Sequence, residues 1–322
     1  MSTRTSLPDQ VPTVWSRRRL LASLALGGLA APTLASLLAA CGDPSTAPGT
    51  DPTGPDSTGP DSSSPDTQPE PGITHPSGPD TAVLRLSWEG GMLPAWMAMY
   101  PPSLLVSGDG RAFVPGAVAE IYPGPLVSPV MVRSITEAGV QTILAMLRDE
   151  GLFVEPTPTY DLPDGFGIAD ASTTVLTFTA DGATHTHRAY ALGFEPGLDS
   201  TPDRERLWSV VQRLGDLPGL VGASVGTEEL FVPEAWRFAA IEANPDEVTG
   251  PPDPTVVPWP KGTGVVLAEV AYPNAVGSVC ATVSAEAVGD LFTSANQLTF
   301  FEEDGVTYQM SVTPVLPGDT AC

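Results

Sequence analysis

The sequence predicts an α+β fold in which antiparallel sheets, built on Asp-Gly hairpins, pack against about three helices. Two observations lead to this fold class. Stretches rich in Val, Thr, Phe and Tyr flank Asp-Gly pairs, as in β-hairpins. Helical patterns follow whole hairpins instead of single strands, which argues against a doubly wound parallel sheet.

Three hairpins are expected, because an Asp-Gly pair readily adopts the positive φ angles of a tight turn. The turns are Asp109-Gly110, Asp181-Gly182 and Asp304-Gly305. The expected strand pairs are 104–106 with 112–114, 175–180 with 184–192, and 298–302 with 306–312.

Three helices are expected from apolar residues at helical spacing. The first begins at a Ser134 or Thr136 cap, and the second at Thr201-Pro202, a cap followed by a first-turn proline. The third begins at Ser284 and carries Val288, Leu291, Phe292 and Ala295. A helix followed by an Asp-Gly hairpin occurs twice. A globular region 81–322 made of two related subdomains, 81–220 and 221–322, is therefore a further hypothesis.

The first 40 residues have the features of an export signal. An apolar stretch follows the basic cluster and ends in Leu-Ala-Ala before Cys41. This resembles the lipobox of bacterial lipoproteins, which implies cleavage before Cys41 and lipid attachment to its thiol; the alternative is an uncleaved signal anchor. The pair Arg17 and Arg18 resembles a twin-arginine signal, although three consecutive arginines also suit an ordinary secretory peptide.

Residues 41–80 are expected to form a disordered linker. They are rich in Pro, Gly, Ser and Thr, lack Lys and Arg, and include only Ala47 and Ile73 as aliphatic side chains. Such a segment buries too little apolar surface to offset the entropy lost on ordering.

Charge and cysteine count restrict the function further. The chain of 322 residues has a net charge of −24, which argues against nucleic-acid binding because its surface repels phosphate. Once Cys41 is assigned to lipid, Cys280 and Cys322 remain, and an even pair in an oxidising compartment predicts a disulfide.

Two motifs are candidates for catalytic or metal sites. On the hairpin at Asp181-Gly182, His185 should lie opposite Phe178 and His187 opposite Leu176, which favours packing over a two-histidine metal platform. Ser224 lies in Gly-Ala-Ser-Val-Gly, which matches a nucleophile elbow. The corresponding hydrolase fold needs a later His, and no His follows Ser224 in the chain.

Other candidate sites are less specific. Asp161, Asp164 and Asp170 lie in a Gly-containing loop and are candidates for a Ca²⁺ site, although the spacing is not that of an EF-hand. Aromatic residues could form a sugar-stacking platform, with core packing as the commoner role; they are Trp88, Trp96, Trp208, Trp236 and Trp259. No nucleotide-binding or Cys-x-x-Cys motif occurs, so no cofactor is expected.

Several segments resemble uncharacterised exported lipoproteins of high-GC Gram-positive bacteria, a family that implies no established activity. They are Tyr122-Pro123-Gly124-Pro125, Thr136-Glu137-Ala138-Gly139-Val140, Tyr190-Ala191-Leu192-Gly193-Phe194, and Pro314-Val315-Leu316-Pro317 with Cys322. The order of elements from Leu84 to Leu214 is also similar to emfourin-type protease inhibitors: a strand ending in Gly90-Gly91, a helix, Leu162-Pro163-Asp164, a hairpin and a helix. That similarity implies an inhibitor role.

These observations favour a lipoprotein anchored on the extracytoplasmic face of the cell membrane. Its folded region is expected to bind an envelope protein, a peptide or a wall component without catalysis. One alternative is an extracytoplasmic hydrolase that uses a pair of carboxylates from Asp161, Asp164 and Asp170. The other is a protease-inhibitor-like module.

We expect Cys41→Ala to abolish labelling by palmitate, because Cys41 is the predicted site of acylation. The measurement is metabolic labelling of expressing cells, followed by gel analysis of the immunoprecipitated protein. Cys322→Ser retains Cys41 and should remain labelled. Palmitate on the Cys41→Ala protein would show that the lipobox interpretation is wrong.

Overall fold

A computed structural model describes residues 72–91, 99–165, 167–195, 197–271, 279–320 and 322. It confirms the predicted α+β fold, with two mostly antiparallel sheets and about six short helices. Strands make up 32% of the described residues and helices 21%, so the sheets dominate the architecture.

The first sheet has seven strands, and every neighbouring pair is antiparallel. Its strands are β1 (Ala82–Glu89), β2 (Leu104–Ser107), β3 (Arg111–Pro115), β4 (Val130–Ser134), β5 (Thr173–Ala180), β6 (Ala183–Tyr190) and β7 (Glu229–Leu230). Their spatial order is β6-β5-β1-β2-β3-β4-β7. The two-residue strand β7 therefore lies at an edge.

The second sheet has five strands, which come from the C-terminal part of the chain. They are β8 (Ala235–Glu242), β9 (Thr255–Pro258), β10 (Ala281–Ser284), β11 (Thr299–Glu303) and β12 (Val306–Pro314), in the order β10-β8-β12-β11-β9. Only β9 and β11 run parallel to each other.

All three predicted hairpins are present, as β2–β3, β5–β6 and β11–β12. In the second, Phe178 lies opposite His185 and Leu176 opposite His187, as the turn position predicted. Asp181 has a φ of 49° and Gly182 a φ of 77°. This pair of positive φ angles matches a two-residue turn to the twist of the flanking strands.

The helices are α1 (Glu137–Asp149), α2 (Pro202–Gly215), α3 (Leu217–Val221), α4 (Leu267–Val270), α5 (Ala285–Val288) and α6 (Leu291–Ser294). Thr136, not Ser134, caps α1, because its side chain accepts a hydrogen bond from Gly139 N. Thr201 occupies the cap position of α2 and Pro202 its first turn. The two long helices therefore begin where the sequence predicted.

The prediction of a third continuous helix is wrong. The segment is divided into α5 and α6 at Gly289, whose φ of 54° lies in the left-handed region. A glycine in that conformation ends a helix, so the apolar spacing that continues through Leu291 and Phe292 belongs to two separate turns. The three expected helices become six in the described residues because the third is divided in two and because two further short helices, α3 and α4, occur.

The central strand β2 is buried along its whole length. Leu104 and Val106 pack in a core with the apolar faces of α1 and α2. Leu105 packs on the opposite face with Phe113 and with Leu316 from the C-terminal segment. The first sheet is therefore covered on both faces.

A second core lies against the five-stranded sheet. Its aromatic side chains meet edge to face or tilted, with ring centroids about 5.4 to 6.2 Å apart, and they are Trp236, Phe238, Trp259, Phe292 and Phe301. Leu126, from the β3–β4 connection, is buried among them.

The folded region begins earlier than the predicted boundary at residue 81. Ile73 is 5% exposed and packs in the core beside α1. Its N–H donates to Gln141 Oε1 and its carbonyl accepts from Gln141 Nε2, both at 2.8 Å. Asp181 N donates to the Thr74 carbonyl at 2.8 Å. Residues 72–80 are thus not linker, because one aliphatic side chain joins a core that other elements have built.

The described residues form one compact unit. Elements cross the expected boundary at residue 220 in both directions, since Leu126 enters the second core and β7 belongs to the first sheet. The prediction that 81–220 and 221–322 are two related subdomains stays a hypothesis.

Cys280 and Cys322 form the predicted disulfide. The bridge joins the residue before β10 to the C-terminal segment and closes a loop with a sequence separation of 42. It therefore restrains the segment that carries Leu316.

We expect Cys322→Ser to lower the free energy of unfolding by up to about 4 kcal/mol, because the unfolded chain regains the freedom of a long loop. Urea denaturation of the purified proteins measures the change. Thr320→Ser, an exposed substitution two residues away, should leave the midpoint unchanged. An equal count of reactive thiols with and without reductant in the native chain would contradict the bridge.

Candidate functional site

The clearest concave apolar surface is a groove of about 490 Å³ beside β7, here called the β7 groove. Its walls come from four parts of the chain: the start of β4, the β7–β8 segment, α5 with α6, and the end of β12. It is lined by Val127, Ser128, Pro129, Val130, Leu230, Phe231, Val232, Pro233, Trp236, Ala285, Gly289, Asp290, Thr293 and Pro314.

Strand alternation shapes the edge of this groove. Phe231 turns inward and meets Phe113 edge to face, with ring centroids 5.1 Å apart. Leu230 and Val232, one residue to either side, are 61% and 79% exposed. Pro233 follows and, lacking an N–H, ends the strand. Two apolar side chains therefore stand in water beside an apolar depression.

The polar side chains that line the β7 groove are few: Ser128, Thr293, Asp290 and Trp236. Asp290 is its only charged lining residue. Trp236 is 5% exposed, and its buried indole N–H has no acceptor within the described residues. An apolar cleft with few polar groups has the usual character of a binding site.

A second, more polar pocket has a volume of about 620 Å³. Phe231 and Val232 line both this pocket and the β7 groove. Of the second pocket's four charged lining residues, Asp80, Arg111, Glu234 and Asp319, two already have partners. Arg85 Nη1 lies 2.7 Å from Asp319 Oδ1, and Arg111 donates to the Pro79 carbonyl at 2.9 Å. The β7 groove is the better candidate site because its lining is mainly apolar.

The two strand histidines are packed, as predicted. His185 stacks on Phe178 with centroids 4.9 Å apart, and Glu155 Oε1 lies 3.5 Å from its Nδ1. His187 is fully buried, and its Nε2 lies 3.0 Å from the Leu152 carbonyl. Since a carbonyl only accepts, Nε2 carries the proton and Nδ1 accepts from the Tyr160 hydroxyl at 2.7 Å. His187 is thus held as the neutral imidazole.

Burial lowers the pKa of His187, because the charged imidazolium would lose its hydration, and the bond to Leu152 opposes this shift. Burial also raises the pKa of the Tyr160 phenol to about 12, so the phenol remains a donor at neutral pH. The fully buried Arg204 continues this network by donating to the Tyr160 carbonyl at 2.8 Å and to Asp199 Oδ1 at 2.8 Å. These contacts organise the loop before β5.

The predicted calcium candidates are not brought together. Asp161, Asp164 and Asp170 are exposed, and Asp170 has a positive φ of 61°. Within the described ranges, no group of three or more His, Cys, Asp and Glu side chains is placed to hold a metal ion.

The backbone of Ser224 has a structural role. It ends a short 3₁₀ turn that follows α3, and its carbonyl accepts from Thr136 N at 2.9 Å. Gly226 N donates to the Ser134 carbonyl at 2.8 Å. The Gly-x-Ser-x-Gly segment therefore fixes the start of α1.

The tryptophans do not share one surface. Trp236 and Trp259 lie in the second core, and Trp208 packs half-buried against the first. Trp88 is 56% exposed on β1. Trp96 lies outside the described residues, as do the predicted lipid-attachment residue Cys41 and the signal residues Arg17 and Arg18.

Sequence reasoning missed the β7 groove. The available signal was the run Leu230-Phe231-Val232-Pro233, whose alternation and terminal proline suit an edge strand. The opposite wall, from Ala285 to Asp290 and at Pro314, comes from distant parts of the sequence.

Comparisons with known proteins found no matching family model, no similar curated protein and no similar solved structure. Among the described helices, none is long and apolar enough to cross a membrane.

We expect the free energy of unfolding to fall as the pH is lowered from 7 to 5. Because the folded pKa of His187 is depressed, the unfolded chain binds a proton below about pH 6.5 that the folded chain does not. His187→Gln should remove this part of the pH dependence, which amounts to at most about 1.4 kcal/mol per pH unit.

Urea denaturation at pH 7, 6 and 5 measures the effect. Thr184→Gln places the same side chain at an exposed position on the same strand and should keep the native pH dependence. Equal pH dependence in the native chain and His187→Gln would contradict the assignment.

Proposed function

We propose that this protein is an extracytoplasmic lipoprotein whose folded region binds an extended segment of another envelope protein in the β7 groove. The observation that carries the proposal is the groove itself, with Leu230 and Val232 exposed at its rim. Covering such side chains stabilises a complex by about 25 cal/mol for each Å² of apolar surface removed from water.

The proposed anchor suits a binding module. The residues between Cys41 and Gly72 form a chain of 30 residues that is rich in proline. In an extended polyproline conformation it would reach on the order of 90 Å. This length would allow the folded region to search the envelope for its partner while staying attached to the membrane.

The β7 groove favours binding over carboxylate catalysis. General acid and base chemistry at a glycosidic bond requires two carboxyl groups that flank the reacting atoms. The groove has one carboxylate, Asp290, and the three candidate carboxylates of the loop before β5 are exposed and do not line it.

The alternative of a protease-inhibitor-like module rests on the order of strands and helices along the chain. β1, α1, the β5–β6 hairpin and α2 occur in the expected sequence, but β2, β3 and β4 stand between β1 and α1. The groove is formed mainly by residues after α2. The general binding role is therefore the better supported proposal.

We expect Val232→Asp to weaken peptide binding at least tenfold, because a carboxylate at the rim cannot be buried against an apolar ligand. The measurement is selection of a displayed random peptide library on the purified protein, followed by titration of the enriched peptides. Val232 is 79% exposed, so its substitution should not affect folding.

Val256→Asp is the matched control, since Val256 is also an exposed valine and lies on β9 of the other sheet. It should bind the enriched peptides like the native chain. Failure to enrich any peptide, or equal binding to both variants, would contradict the proposal.

A further inference from the structure

We infer that the partner segment binds by adding a short β-strand to the open edge of β7, and that it carries a Lys or Arg next to its apolar residues. This inference rests on the proposed function and adds to it the mode of binding and the charge of the partner.

The register of β7 shows which backbone groups are open. Phe231 N donates to the Val130 carbonyl at 2.9 Å, and Leu230 lies opposite Met131. In an antiparallel pair, alternate residues direct their N–H and C=O groups toward and away from the neighbouring strand. Phe231 therefore faces β4, whereas Leu230 and Val232 present their backbone groups to the free edge.

This free edge and the β7 groove are adjacent, since Leu230 and Val232 also line the groove. A strand added along the edge places alternate side chains on the face that Leu230 and Val232 share. Apolar side chains at those positions would fill the groove. Pro233 limits the pairing to a few residues, so the partner segment is short.

The charges around the edge select a basic partner. Exposed Glu229 and Glu234 flank the open residues, and Asp290 lines the groove. The nearest cation on β4, Arg133, is bound to Glu228 through its Nε at 2.9 Å. In the part of the chain that the structure describes, Glu229, Glu234 and Asp290 form no ion pair, and such groups attract Lys or Arg on an incoming strand.

The same charges disfavour a second copy of this chain as the occupant. Antiparallel pairing of two β7 strands, with Leu230 of each copy opposite Val232 of the other, would place Glu228 of one copy opposite Glu234 of the other. Like charges across a strand pair destabilise it, whereas a basic strand of another protein relieves the repulsion.

The test uses the full chain and three synthetic peptides. The first is acetyl-Lys-Val-Thr-Val-Lys-amide, the second has Glu in place of both Lys, and the third is the first with N-methyl groups on both Val. Binding is titrated by fluorescence polarisation with labelled peptides. We expect the first peptide to bind at least tenfold more tightly than the other two, because they lose the opposite charge or the strand hydrogen bonds.

Two substitutions locate the contact. Glu229→Gln should reduce the preference for the Lys peptide over the Glu peptide at least threefold. Glu269→Gln, at an exposed position on α4, should leave that preference unchanged. Equal binding of the Lys and N-methylated peptides, equal binding of the Lys and Glu peptides, or no binding of any peptide would overturn strand addition.

A negative result in this test can be distinguished from a negative result in the library selection. Library peptides that depend on Val232 but show no preference for basic residues and tolerate N-methylation would overturn strand addition and leave the β7 groove as a binding site. Absence of any peptide dependent on Val232 would contradict the proposed function itself.

Discussion

The burial of β2 on both faces is the constraint on which the rest of the fold depends. Leu104 and Val106 need an apolar cover on one side, which α1 and α2 supply. Leu105 needs a cover on the other side, and Leu316 supplies part of it from the far end of the chain. The two sheets are therefore not independent, because the C-terminal segment completes the core of the N-terminal sheet. The Cys280–Cys322 bridge restrains the segment that makes this contact.

The sequence predicted features that local chemistry decides. Asp-Gly pairs specified the turns, and a two-residue turn then fixed which residues face each other, so the environment of His185 and His187 could be worked out in advance. The third helix was misjudged because Gly289 has ordinary helical neighbours in sequence, and only its backbone angle shows the break. Ile73 was misjudged because burial of a lone aliphatic residue depends on a core built by distant elements. The β7 groove was missed for the same reason, since its walls meet only after both sheets have formed.

The buried polar network shows how an irregular segment is ordered without secondary structure. Tyr160 bonds to His187 through its hydroxyl and to Arg204 through its carbonyl, so one residue connects β6 to α2. A buried guanidinium is tolerated because each of its nitrogens has an acceptor. This arrangement leaves the acidic side chains that follow Tyr160 at the surface, where they add to the negative charge of the protein.

The attachment of Ile73 has a mechanical consequence. A load applied through the predicted linker would enter the fold near this residue, where two hydrogen bonds to Gln141 and one from Asp181 to Thr74 would resist it. These bonds can break without separating any pair of strands. The segment from Ile73 to the start of β1 would therefore detach and extend first. Tension is thereby relieved at the periphery of the molecule before it reaches the sheets.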